Sequence, residues 1–187
     1  MSISTQLFDL TGQVALLTGA SKGMGKSMAM ALAEHGSKVV VSSRKLDQCE
    51  ATAAEINEAC GEERAVAIAC NIGYKEQLQA LVDETRQRLG PIDTLIANAG
   101  VNPFYGPMSE IPDEAFDKTM NSNLAQIIGC ANGGARYAGE RSGRDHDYGQ
   151  CGCFGPSDTL GTYNISKMAD IALVRNLAME WGPKGFE

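Results

Sequence analysis

No apolar run in this chain approaches the roughly 18 residues needed to span a bilayer. Its first ten residues, M-S-I-S-T-Q-L-F-D-L, lack the charged start and apolar core of a secretory leader. Both absences point to a soluble, cytoplasmic protein. Nor is there a basic block or arginine-rich run: 16 Lys and Arg stand against 23 Asp and Glu, a net charge of -7. A nucleic-acid or anionic-membrane surface is therefore unsupported, and the expected partners are small molecules or copies of the chain. The six cysteines (Cys49, Cys60, Cys70, Cys130, Cys151 and Cys153) form no C-x-x-C pair and no regular framework, which favours reduced thiols over disulfides. Asp145, His146 and Asp147 with Cys151 and Cys153 could supply metal ligands, but their spacing fits no zinc pattern, and no metal is expected.

The most informative shortage is local. From Gly129 to Gly155 there is no Val, Ile, Leu or Met in 27 residues, yet the stretch holds 8 of the 21 glycines and 3 of the 6 cysteines. No packed core element has that composition. Elsewhere the chain is ordinary for one globular domain over residues 1–187, with 43% hydrophobic and 21% charged residues.

Short apolar runs alternate with helical patterns. Q-V-A-L-L-T (13–18) reads as a strand, T-G-A-S-K-G-M-G as a turn, and K-S-M-A-M-A-L-A-E-H as a helix stopped by Gly36. K-V-V-V-S-S (38–43) predicts a second strand, Leu46 to Cys60 a helix closed by Gly61, and A-V-A-I-A-C (65–70) a third strand. Leu78, Leu81, Val82 and Leu89 form one helix face before Gly90-Pro91, and I-D-T-L-I-A (92–97) predicts a fourth strand. A loop with three prolines follows, then helices over about 113–128 and 163–181. Continuous apolar strands between amphipathic helices specify an α/β fold, a doubly wound parallel sheet covered on both faces. That order calls for a further strand between the last two helices, where only the polar, glycine-rich window is available.

A glycine turn between strand and helix lets backbone N–H groups approach a pyrophosphate, which the helix N-terminus favours electrostatically. Gly19, Gly23 and Gly25 suit that task, with Ser21, Lys22 and Met24 between them. Such a turn alone is a weak signal, because glycines also make ordinary turns. The spacing T-G-x-x-x-G-x-G from Thr18, A-N-A-G at 97–100, Asn123 within M-N-S-N-L, and Y-N-I-S-K at 163–167 together resemble the short-chain dehydrogenase/reductase family. The resemblance runs from about residue 7 to the end, broken at the window. It implies a Rossmann-like fold, a nicotinamide dinucleotide, and hydride transfer between that cofactor and a carbonyl or alcohol. It makes Tyr163 the general acid/base, Lys167 the cation that assists it and holds the ribose, and Asn123 a link in the proton relay. Asn98, Ala99 and Gly100 would line the cofactor. Intact members of the family are usually homo-oligomers.

The chemistry agrees with that assignment. A tyrosine hydroxyl, with a reference pKa of about 10, is a poor base at neutral pH, and a nearby cation favours its phenolate. Lys167 lies one helical turn after Tyr163, on the same face. At the end of the second strand the chain reads S-S-R-K, so Arg44 could fork onto a 2′-phosphate, with Lys22 adding a second charge. Asp47 arrives too late for the carboxylate of an NAD site. NADP(H) is the expected cofactor, with NAD(H) possible. Asn71 and Ile72, just past the third strand, resemble the pair that flanks the adenine, with Asn where the family more often has Asp.

The family also places a serine about 13 residues before the tyrosine, and that position holds Gln150. Ser157 and Ser142 lie six and 21 residues before Tyr163 and do not match. Arg144-Asp145-His146-Asp147-Tyr148 can be encoded CGC-GAT-CAT-GAT-TAT, which one base later, with a G following, reads Ala-Ile-Met-Ile-Met, a good buried strand. With Gln150-Cys151 as CAG-TGT, the displaced frame places a serine codon at Gln150. We read residues 129–154 as frame-shifted, the rival being a divergent glycine-rich loop. By the same resemblance the chain ends before the family's last strands and substrate cover, as a truncated product would. A catalytically inactive dinucleotide-binding protein and a defective fragment stand as alternatives to an active reductase.

Overall fold

The computed structural model describes residues 7–132 and 156–182. Strand β1 (Val14–Thr18) is buried along its whole length. It leads through the glycine turn into helix α1 (Gly23–Glu34), then β2 (Lys38–Ser43), α2 (Leu46–Cys60), β3 (Ala65–Ala69), α3 (Lys75–Leu89) and β4 (Thr94–Ala97). A 3-10 turn (Met108–Glu110) precedes α4 (Asp113–Asn132), and α5 (Gly161–Trp181) follows the window.

The four strands among the described residues are parallel, in the order β3-β2-β1-β4. Alternation along them explains why they read as unbroken apolar runs. Leu16, Val40, Val66 and Ile68 face Leu78, Leu81 and Val82 of α3. On the opposite face Ala15, Leu17, Val39 and Val41 pack with Ala29 and Ala33 of α1 and with Cys49, Ala53 and Ile56 of α2. Burying each large aliphatic side chain contributes about 1.5–3 kcal/mol, so covering both faces is the main source of cohesion.

The order has a functional consequence. The chain moves outward from β1 to β2 to β3, then returns to the other side of β1 for β4. In doubly wound sheets such a reversal marks where ligands bind, here the C-terminal ends of β1 and β4.

Element ends depart from the sequence expectations for identifiable reasons. The fourth strand starts at Thr94 rather than at 92, because the Asp93 carboxylate accepts the Val14 N–H (3.0 Å) while the Asp93 N–H donates to the Val14 carbonyl (2.9 Å). The first helix starts at Gly23, so the last two glycines of the turn lie in its opening turn. The expected fifth strand, Gln150, Ser142 and the Asp145–Cys153 cluster fall outside the described residues. Among the described residues β4 pairs with β1 alone, and no helix is long and apolar enough to cross a membrane.

Candidate active site

Each glycine of the first turn has its own reason to be glycine. Gly19 has φ +64°, and a Cβ there would stand 2.9 Å from Ala99 Cα. A Cβ on Gly25 would meet the Gly19 carbonyl at 2.4 Å and Asn98 Nδ2 at 2.6 Å. These two let the turn, the helix and the end of β4 approach one another. Gly23 differs: its φ is +59°, but open space surrounds the Cβ position, on the exposed side. The first turn of α1 has no side-chain cap on its N–H groups and no acidic residue. That end of the helix therefore suits a negatively charged phosphate, and the residues present fit a dinucleotide. Ser21 is half-buried, its carbonyl accepting Thr52 Oγ1 of α2 at 3.0 Å; Lys22 and Met24 are exposed.

Side-chain amides lock the two strand ends together. Asn98 Nδ2 donates to the carbonyls of Thr18 (3.2 Å) and Gly19 (3.0 Å). The Ala99 N–H donates to Thr18 Oγ1 at 3.1 Å, and that hydroxyl donates to Gln126 Oε1 at 2.8 Å. Gln126, fully buried on α4, returns its Nε2 to the carbonyls of Ala99 and Asn123. No motif in the sequence points to Gln126. The one available signal is its place a helical turn after Asn123, on the same face.

Asn123 is also fully buried and joins three segments. Its Oδ1 accepts the Val101 N–H (2.8 Å), and its Nδ2 donates to the Val101 carbonyl (3.2 Å) and to Ser166 Oγ (2.9 Å). Ser166 in turn donates to the Tyr163 carbonyl at 2.8 Å, so Asn123 holds the segment after β4 against α5. Tyr163 is half-buried. Lys167 Nζ lies 5.7 Å from its ring centroid and 3.9 Å from the position of a Cβ on Gly100. The structure thus brings Gly100, Asn123, Tyr163 and Lys167 together beside the strand ends that carry the glycine turn.

The remaining sequence candidates lie farther out. Arg44 is exposed just past β2. Asn71 Oδ1 accepts the Gly73 N–H (3.1 Å), while Gln77 Oε1 accepts the Asn71 N–H (2.8 Å), shaping the entry to α3. The Ile72 side chain belongs to the core, at 7% exposure, which leaves only its backbone for a ligand. Ser157 Oγ accepts the N–H groups of Thr159 (3.2 Å) and Leu160 (3.0 Å), ordering the start of α5. Its hydroxyl has a structural task at the start of α5.

Residues 13–187 match the family profile described as short chain dehydrogenase. The chain is 33% identical over 177 residues to dehydrogenase/reductase SDR family member 4 of Sus scrofa, covering 94% of this chain and 62% of that protein. The crystal structure of a short-chain type dehydrogenase/reductase from Mycobacterium marinum is similar at a TM-score of 0.79 and 30% identity, over 98% of this chain and 74% of that one. That of 3-ketoacyl-(acyl-carrier-protein) reductase from Brucella melitensis, complexed with NADH, has a TM-score of 0.78 at 26% identity, over 94% of this chain and 72% of that one.

Proposed function

This chain belongs to the short-chain dehydrogenase/reductase family, and we propose that it is an NADP(H)-dependent oxidoreductase interconverting a small-molecule carbonyl and an alcohol. The observation that carries the reading is the position of the Lys167 ammonium, close to both the Tyr163 ring and Gly100, at the strand ends where the glycine turn lies. The bound dinucleotide supplies or accepts the hydride. In reduction the Tyr163 hydroxyl gives its proton to the carbonyl oxygen, and in oxidation the phenolate takes the proton from the alcohol. Lys167 stabilises that phenolate and donates to ribose hydroxyls. Asn123, the proposed relay link, keeps the segment after β4 and α5 in register through Val101 and Ser166.

Gly19, Ser21, Lys22, Gly23, Met24 and Gly25 would cradle the pyrophosphate, with Asn98, Ala99 and Gly100 closing the opposite wall. Exposed Arg44 and Lys22 carry the preference for a 2′-phosphate over NAD(H). Asn71 and the backbone of Ile72 would border the adenine. A single domain over residues 1–187 and a cytoplasmic location complete the reading.

The second reading, a dinucleotide-binding protein without turnover, is favoured by Gln150 at the serine position and by the Ser157 hydroxyl's engagement at α5. NADPH oxidation with a broad carbonyl panel separates the two. Under the first reading the parent turns over, and Tyr163→Phe loses at least about a hundredfold in kcat while still binding NADPH, as removal of a general acid/base predicts. A Tyr163→Phe protein that turns over at the parent rate would refute the assignment.

A further inference from the structure

A lysine ammonium withdrawn from water needs a counter-charge, because an isolated buried charge is strongly disfavoured. Lys167 is in that position: its side chain keeps 12% of its exposure. Its partner is Asp170, whose Oδ2 lies 3.0 Å from Nζ and whose side chain keeps 15%. The pairs Lys26–Glu55, Arg64–Glu62 and Arg88–Glu84 differ, since each leaves its carboxylate side chain 47% exposed or more. Exposed pairs of that kind contribute little. The enclosed pair stands at the candidate site, and its helical spacing is telling. Tyr163, Lys167 and Asp170 stand at i, i+4 and i+7 of α5, on one face.

From this arrangement we infer that Asp170 is a positioning residue of the active site, acting through Lys167. Its carboxylate holds the ammonium beside Tyr163 and Gly100 before any dinucleotide arrives. An ammonium has three N–H donors, and Asp170 engages one through a single oxygen. Neutral ribose hydroxyls can therefore be taken on without displacing the carboxylate. Ordering a free lysine side chain on binding is costly, and Asp170 removes most of that cost in advance. The inference rests on the reading that Lys167 holds the cofactor, but the ion pair can be tested apart from it.

Two measurements do so. The first is trace acetylation at mildly alkaline pH, with each lysine's rate read by mass spectrometry and the exposed Lys22 and Lys45 as internal references. In the parent, Lys167 should react slower than those references by on the order of fivefold, and Asp170→Asn should raise its rate by a similar factor without changing theirs. Equal rates for Lys167 and the references in the parent would overturn the proposal without any variant. The second is fluorescence titration with NADPH. Asp170→Asn should weaken binding by roughly three- to tenfold, Asp170→Glu should restore most of it, and in a Lys167→Ala background Asp170→Asn should have no further effect. An equal loss in that background would show that Asp170 acts by another route. A parent that binds no dinucleotide would defeat the cofactor reading, while the acetylation rates would still decide the pair.

Discussion

Cys70 shows what burial does to a single side chain here. It is 2% exposed among Val66, Ile68 and Ile72, and burial pushes its thiol from 9.0 up to about 11. Once unfolded, the chain ionises this thiol near the ordinary value, so above about pH 9 the unfolded state holds fewer protons than the folded one. Its contribution is therefore complete below that pH and is lost as the pH rises towards about 11. Cys70→Ala should flatten the fall in Tm between about pH 8 and about pH 10.5, even if it lowers Tm throughout. Identical slopes for parent and variant would contradict this. Other residues show how unevenly the site is written in the sequence. Gly19, Tyr163 and Lys167 are legible because each sits in a short pattern whose chemistry is local. Gln126 and Ser166 are not, because their decisive partners, Thr18 and Asn123, lie 108 and 43 residues away. A buried amide in a helix pattern is indistinguishable from a surface one until the fold supplies its partners.

At the scale of elements, the strands were legible because both faces are covered and few polar residues interrupt them. Their ends were less so, since side-chain bonds such as that of Asp93 to Val14 decide where pairing starts. Helix α2 closes where glycine allows a left-handed residue, Gly61 at φ +70°, and that end was readable. The opening of α1 was not, because the sequence does not reveal that Gly25 is pressed against the carbonyl of Gly19 and the amide of Asn98. This packing sets an expectation for Gly25→Ala. The added methyl meets backbone at 2.4 and 2.9 Å, which cannot swing aside as a flexible side chain would. The loss should be about 3 kcal/mol, the upper end for overpacking, or a fall in Tm of roughly 6–12 °C for a chain of this size. NADPH binding should weaken with it. An unchanged Tm would mean that turn, helix and Asn98 are not packed as described.

At the scale of the whole molecule, the sheet is well supported on the β1 side of β4, while β4 pairs with β1 alone among the described residues. The sequence that should supply its next neighbour, 129–154, contains no Val, Ile, Leu or Met beyond Gly129. An apolar strand edge left open promotes association between molecules. If residues 129–154 are a displaced frame, restoring it, which gives Ala-Ile-Met-Ile-Met in place of Arg144 to Tyr148, should raise soluble yield and sharpen thermal unfolding. If the chain as written is equally soluble and cooperative, the window is a true loop. The nucleotide sequence across codons 128–156 would show the displaced frame directly. Every proposed role at the site depends on a dinucleotide bearing a 2′-phosphate binding at the C-terminal ends of β1 and β4. Titration of the unaltered chain with NADPH and with NADH, followed by nicotinamide fluorescence, tests it most directly. Both should bind saturably, NADPH tighter by about tenfold or more, with the order reversed in Arg44→Asp; equal affinities, or no saturable binding of either, would contradict that binding mode.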